Sequence, residues 1–134
     1  MNINKTLVKD AIAQISAIPK LYMDPQHLVL DLLALTSVES FDRDEKFSSV
    51  IRTLIHSLEI ISKCPESGEP LKNDFYGYYS YHFLSDYPSN PPHDDMRIVY
   101  TIQNAQLWII GFGHRYLPSD IYEKIRSTKR HAPY

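Results

Sequence analysis

Cysteine is nearly absent from this 134-residue sequence, since Cys64 is the only one. A single cysteine excludes an internal disulfide and any metal site built from several cysteines. No apolar run approaches the roughly 18 residues that a membrane-spanning helix needs. The first residues, MNINKTLVKDAIAQ, lack the basic-then-apolar order of a secretory signal. We therefore expect a cytoplasmic protein in a reducing compartment, with no membrane partner.

The histidines lack a metal-binding pattern. His82, His93 and His131 could suggest a metal, but the chain contains no HxH or HExxH spacing. Histidines in loops of this kind are mostly exposed to solvent. We therefore expect no metal and no cofactor.

A large net charge is also missing. The formal charge of −2 gives no global attraction to nucleic acid. The charge is nevertheless uneven: residues 1–69 carry 7 basic and 10 acidic side chains, whereas residues 70–134 carry 7 basic and 6 acidic. Histidines 82, 93, 114 and 131 also fall in the second half. A surface that binds an anionic ligand should be sought there.

The first part of the chain shows helical periodicity. Apolar side chains at helical spacing predict a helix over residues 6–18, with Thr6 as a possible N-cap. A second helix is expected after Asp24 as N-cap, with Pro25 at the first helical position. Its many leucines predict burial on most sides. The third helix, over about residues 44–63, has the strongest pattern, with apolar positions repeating over four turns.

The pattern changes after CPESGEPLKNDFYG. The runs YGYYSYHFL, MRIVYTI and QLWIIGFG are aromatic or β-branched and predict strands. QNA is short enough for a hairpin turn between the last two, and SDYPSNPPHDD predicts a surface loop. SDIYEKIRSTKR predicts a short final helix with Ser119 as N-cap. We expect a single α+β domain over residues 1–134: helices first, then a three-stranded antiparallel sheet, then a closing helix.

Basic and aromatic side chains in the second half could meet at one site. In an antiparallel sheet the start of the second strand lies beside the ends of its neighbours, so Arg97 could approach His114 and Arg115. A cluster of this kind suits RNA cleavage, in which a base takes the 2′-hydroxyl proton, cations stabilise the phosphorane and an acid protonates the leaving oxygen. The candidates are Lys72, Tyr79, Tyr81, Arg97, His114, Arg115 and Tyr122.

Each candidate has a structural alternative. Arg97 at a strand start could be a solvated edge charge. His114 could be a hydrogen-bonded structural histidine, which for an isolated histidine is the commoner case. Tyr79 and Tyr81 alternate along a strand and could simply cover the helical layer. From the residues alone, the sequence indicates an α+β domain with a cationic rim.

Residues 50–124 resemble the RelE/ParE superfamily of bacterial toxins, and most of all the RelE, YoeB and YafO kind. Three segments carry the resemblance in the family's order: SKCPESGEPLKNDFYGYYSYHF, DMRIVYTI and QLWIIGFGHR, followed by IYEKI where the family places a terminal tyrosine. The resemblance implies helices packed on a small antiparallel sheet, with residues 46–134 as the core and residues 1–45 as a helical extension.

The resemblance also implies roles for individual residues. Arg97 matches an arginine that contacts phosphate, and His114 with Arg115 matches the acid/base and phosphate-stabilising positions. Tyr122 matches a tyrosine that stacks or assists proton transfer. Lys72, Tyr79 and Tyr81 would bind RNA.

The implied function is that of a toxin that cuts mRNA on the ribosome without a metal, held inactive by a cognate antitoxin. Two alternatives stay open: a gyrase inhibitor of the ParE kind, and a binding or regulatory module that has lost the chemistry. The superfamily opens with a β-strand ahead of a helical hairpin, whereas residues 1–45 here are predicted to be helical. The acidic N-terminal helices could act as a built-in antitoxin over the site.

Overall fold

The computed structural model describes residues 3–38, 41–87, 95–115 and 121–131. They form an α+β fold. The helices are α1 (Lys5–Ser16), α2 (Pro25–Thr36), α3 (Asp44–Lys63) and α4 (Ile121–Ser127), and the strands are β1 (Leu21–Tyr22), β2 (Glu69–Pro70), β3 (Tyr79–Phe83), β4 (Met96–Gln103) and β5 (Gln106–His114). Within these ranges no helix is both long and apolar enough to cross a membrane.

The starts of the helices follow local capping chemistry. Asp24 caps α2 as predicted, because its Oδ1 accepts from the backbone N–H groups of Gln26 at 2.8 Å and His27 at 3.3 Å. The predicted cap of α1 was wrong by two positions: Asn4 is the N-cap, and its side chain accepts from the Thr6 N–H. Helix α3 has the predicted bounds. Ser119, the predicted cap of the last helix, lies outside the described residues, as do residues 88–94 of the predicted loop.

The sheet is mixed and has the strand order β1-β5-β4-β3-β2. Strands β3, β4 and β5 form the predicted antiparallel meander. The expectation of three strands was incomplete, because β1 adds in parallel to β5 and β2 adds antiparallel to β3. Each added strand has two residues, too few to show alternation in a sequence. Strand β1 also corrects the expectation that residues 1–45 are wholly helical.

The two faces of the sheet pack differently. Helices α1, α2 and α3 share the large core with one face, which contributes Met96, Ile98 and Phe112. The other face carries a smaller core, in which Val99 packs with Ile121 of α4. Helix α1 therefore lies on the side of the sheet away from α4.

The prediction that α2 is buried on most sides holds for one face only. Leu28, Leu32 and Leu35 are buried, but Leu30 and Leu33 are about half exposed, at 51% and 48%. The face that carries the buried leucines also carries Asp31, which is fully buried along β5.

Candidate functional site

Strand pairing brings the centre of the predicted site together around Arg97. Arg97 on the middle strand β4 pairs with His82 on β3 and with Gly113 on β5, and the next pair is Met96 with His114. Successive side chains on a strand point to opposite faces. Arg97, His82 and Gly113 therefore share one face of the sheet, and His114 belongs to the other.

The face shared by Arg97 is the one that α4 covers, and we call it the α4 face. A Cβ atom at Gly113 would lie 3.4 Å from Lys124 Nζ and 3.6 Å from Ile121. Tyr122, also on α4, contacts β3, since its Oη lies 2.7 Å from Ser80 Oγ. Ser80 is two residues before His82 and shares its face. Arg97, His82 and Tyr122 are thus placed on one surface by three different elements.

Arg97 is deeply set in this surface. The residue is only 7% exposed, and its Nη1 donates to the Met96 carbonyl oxygen at 3.1 Å. A guanidinium in a partly dry setting interacts more strongly with an anion than one in open water does. Its planar fork of donors suits a phosphate group.

His114 lies inside the large core and not on the α4 face. It is 1% exposed, and its ring meets Phe41 edge-on with centroids 5.7 Å apart. Its Nε2 lies 3.8 Å from Asp95 Oδ2. This placement agrees with the structural alternative for His114 and separates it from Arg97 by the thickness of the sheet.

Asp95 fixes the ends of the strands beside the site. Its two carboxylate oxygens accept from the Ser85 backbone N–H at 2.8 Å and from the Ser85 hydroxyl at 2.6 Å. The Arg115 N–H donates to the Asp95 carbonyl oxygen at 2.8 Å. Arg115 itself is exposed. The backbone of Arg115 is therefore fixed next to the start of β4, while its side chain is open to solvent.

The three residues predicted to bind RNA lie elsewhere. Tyr79 stacks on Tyr100 with centroids 5.5 Å apart, and both Tyr79 and Tyr81 pack against the large core. Lys72 is exposed next to Leu71, whose N–H donates to the Tyr78 carbonyl oxygen. Leu71 therefore lies beside Tyr78, which is four positions before His82, the residue that pairs with Arg97. At about 3.3 Å per residue, Lys72 lies about 13 Å along the strand from the His82–Arg97 pair.

Sequence reasoning did not place His82 in the site. The alternation of residues along β3 places His82 on the face opposite to Tyr79 and Tyr81. Only the β3–β4 register shows that His82 stands opposite Arg97. His82 takes the position beside Arg97 that the sequence analysis gave to His114.

A second polar cluster, also missed, lies at the edge of the sheet. Beyond the two residues of β1, the free edge of β5 is covered by α2, where Asp31 Oδ2 accepts from the Phe112 N–H at 3.1 Å. The same oxygen accepts from Arg130 Nη1 at 2.8 Å, and Lys124 Nζ lies 3.1 Å from Oδ1. We call Asp31, Lys124 and Arg130 the Asp31 cluster.

A β-bulge makes room for this cluster. Val99 pairs with Gly111 and the next residue, Tyr100, pairs with Ile109, so Ile110 has no partner on β4. The Ile110 carbonyl oxygen accepts from Arg130 Nη1 at 3.3 Å instead. Gly111 permits the approach, because a Cβ there would lie 3.0 Å from that Arg130 nitrogen.

The chemistry available at the α4 face is that of cations, a histidine and a tyrosine. Within the described ranges no group of three or more histidine, cysteine, aspartate or glutamate residues could hold a metal ion. Arg97 and the exposed Arg115 next to it supply positive charge, and His82 with Tyr122 supplies groups that can exchange protons. No protein-family model, no curated protein and no solved structure matches the chain.

Proposed function

We propose that the protein is a RelE-like toxin of a toxin–antitoxin system, a metal-independent endonuclease that cuts mRNA on the ribosome. The observation that carries the proposal is the row of Arg97 and His82 across two paired strands, with Tyr122 on the same face. This is the set of groups that phosphodiester cleavage by an RNA 2′-hydroxyl requires.

The order of the elements supports the same proposal. The resemblance implies a β-strand ahead of a helical hairpin, and β1 stands ahead of α2 and α3. The antiparallel strands β3, β4 and β5 and the closing helix α4 follow in the implied order. Helix α1 then remains as an N-terminal addition. Because α1 packs on the large core, it lies on the opposite side of the sheet from the α4 face.

The roles follow from the placement of each group. Arg97 binds the scissile phosphate and stabilises the charge of the phosphorane, and the exposed Arg115 binds a neighbouring phosphate. His82 takes the proton from the 2′-hydroxyl as its oxygen attacks phosphorus. The bond from phosphorus to the 5′-oxygen then breaks, and Tyr122 gives that oxygen a proton. The products are a 2′,3′-cyclic phosphate and a free 5′-hydroxyl.

The local charge of this face also fits a polyanionic partner. The net charge of the chain is −2, but Arg97 and the exposed Arg115 both lie where the start of β4 meets the end of β5. A local positive field of this kind attracts polyanions such as the ribosome and mRNA and steers their encounter with the protein. A cognate antitoxin would block the function by covering the same cations.

A second candidate is a non-catalytic binding module on the same fold. The observation that favours it is the internal pairing of the site: Tyr122 Oη already meets Ser80, and Arg97 already donates to the Met96 carbonyl oxygen. A module of this kind would bind RNA or an antitoxin through the same cations without cutting.

Primer extension on an mRNA under translation in a reconstituted system separates the two candidates. Cleavage that requires both ribosomes and the Arg97 side chain supports the endonuclease. Ribosome binding without cuts, lost in Arg97→Gln, supports the binding module. Absence of both binding and cleavage in the folded wild-type protein contradicts both candidates.

Matched variants test the assigned roles. His82→Asn and His114→Asn remove histidines from opposite faces of the sheet, and only the first should lower cleavage, by about 10²–10⁴-fold for loss of a general acid or base. Tyr122→Phe and Ser80→Ala break the same contact. If the Tyr122 hydroxyl gives a proton, Tyr122→Phe lowers the single-turnover rate much more than Ser80→Ala does. Equal effects would reduce Tyr122 to a structural residue.

A further inference from the structure

The Asp31 cluster carries more positive than negative charge in a dry place. Asp31 is one carboxylate, whereas Lys124 and Arg130 are two cations, and their side chains are 0%, 17% and 1% exposed. A buried charge without a counter-charge is costly. The cluster therefore favours the approach of one more anion.

The guanidinium of Arg130 has one nitrogen left for that anion. Its Nε donates to Thr128 Oγ1 at 3.0 Å, and its Nη1 donates to Asp31 and to the Ile110 carbonyl oxygen. The buried Nη2 donates to no acceptor among the residues that the structure describes. Because the other nitrogens are occupied, Nη2 is the group that can meet a ligand.

A pocket adjoins this arginine. It has a volume of about 220 Å³ and lies between the start of α2, strand β5 and the end of the described chain. The lining is mostly apolar, and its residues are Met23, Asp24, Pro25, His27, Trp108, Ile109, Ile110, Arg130 and His131. Apolar walls with a few convergent polar groups are typical of small-molecule sites.

We propose that this pocket binds a small organic carboxylate with a compact apolar body. The carboxylate accepts from Arg130 Nη2 and supplies the negative charge that the Asp31 cluster lacks. The apolar body lies against Trp108, Met23 and Ile110. The proposal does not depend on the function proposed for the α4 face, because none of the residues that line the pocket has a role in that function.

The lining distinguishes a carboxylate from inorganic phosphate. Arg130 is the only arginine among the described lining residues, and the Asp24 carboxylate also lines the pocket. Asp24 Oδ1 is occupied as the cap of α2, but its charge still opposes a dianion. A phosphate would also leave the apolar walls without contacts. A monoanion with an apolar body satisfies both parts of the pocket.

The only tryptophan of the chain, Trp108, lines the pocket and reports on binding directly. The full chain is titrated with 3-methylbutanoate at constant ionic strength, and tryptophan fluorescence is followed. Two further probes separate the parts of the ligand: 3-methylbutanol has the apolar body without the charge, and inorganic phosphate has charge without the body. We expect a saturable change with 3-methylbutanoate, and at least tenfold weaker binding of the other two.

Three variants test the assignment. Arg130→Gln should weaken 3-methylbutanoate binding at least tenfold, while Lys129→Gln, which removes the neighbouring exposed cation, should leave it unchanged. Since Arg130 also pairs with Asp31, the first variant could fail to fold. Met23→Phe therefore fills the pocket from another wall and leaves the Asp31 pairs in place, and it should also weaken binding at least tenfold.

The outcomes that overturn the proposal are specific. One is the absence of a saturable change in folded wild-type protein up to about 10 mM 3-methylbutanoate, roughly ten times a Kd of 1 mM, which corresponds to about −4 kcal/mol of binding free energy. Another is equal binding of 3-methylbutanoate and phosphate. A third is unchanged binding in Met23→Phe.

Discussion

Replacement of Asp31 by asparagine should be among the most destabilising conservative changes in this chain. The substitution keeps the shape of the side chain and removes its charge. The neutral asparagine no longer compensates the charge of Lys124, at 3.1 Å, or of Arg130, at 2.8 Å. Its amide oxygen is also a weaker acceptor for the Phe112 N–H on the free edge of β5.

The magnitude follows from burial. Removal of one partner from a buried ion pair costs about 3–5 kcal/mol, because the remaining charge stays uncompensated. A domain of this size has a free energy of unfolding of about 5–15 kcal/mol. With a urea dependence of about 1.5 kcal/mol per molar, the midpoint should fall by about 2–3 M.

Urea unfolding followed by Trp108 fluorescence measures the change, and Asp74→Asn is the matched control. Asp74 accepts from Arg126 at 3.1 Å, the same distance as between Lys124 and Asp31, but its side chain is 69% exposed. Exposed pairs contribute about 0–1 kcal/mol. Nearly equal costs for Asp31→Asn and Asp74→Asn, or a cost below about 1 kcal/mol for Asp31→Asn, would refute the reasoning from burial.

Three further changes should also shift stability in known directions. Gly111→Ala should cost about 1–3 kcal/mol by overpacking against Arg130, and Gly113→Ala, which has more space, should cost less in the same urea titration. Ala105→Gly should raise stability by up to about 1 kcal/mol in thermal unfolding, because Ala105 has φ 62° in the β4–β5 turn; a lower stability would contradict the turn assignment. Burial raises the pKa of Tyr100 above 10.0, so the stability that the neutral phenol contributes is complete below pH 10 and is lost as the pH rises through the folded-state pKa. Stability curves from pH 8 to 11 should show this loss, and Tyr100→Phe should remove this tyrosine's part of it.

Much of the architecture could be predicted from local patterns. Helix α3 was predicted with its observed bounds because its apolar stripe continues over four turns. The hairpin between β4 and β5 was also predicted, since two long β-favouring runs flank a short turn. These signals need only neighbours in sequence. Strand β1 could not be predicted in this way, because a two-residue strand exists only by pairing with β5.

One predicted contact within the candidate site, between the start of β4 and the end of β5, is present in the structure. Arg97 and the end of β5 do meet, as the geometry of an antiparallel sheet requires. The choice of His114 over His82 depended on which face each histidine occupies, and a shift of one residue in register reverses that face. The sequence could not supply the register, and the bulge at Ile110 changes it again along β5.

The sequence by itself determined the class of the fold, the bounds of α3 and the three main strands, because periodicity and turn chemistry act between near neighbours. Only the tertiary structure decided that His114 lies in the core, that His82 stands beside Arg97, and that Asp31 compensates two cations from the end of the chain. Asp31 and Arg130 are 99 residues apart in sequence and 2.8 Å apart in space. Contacts of that kind depend on strand register and helix docking, which no local pattern encodes.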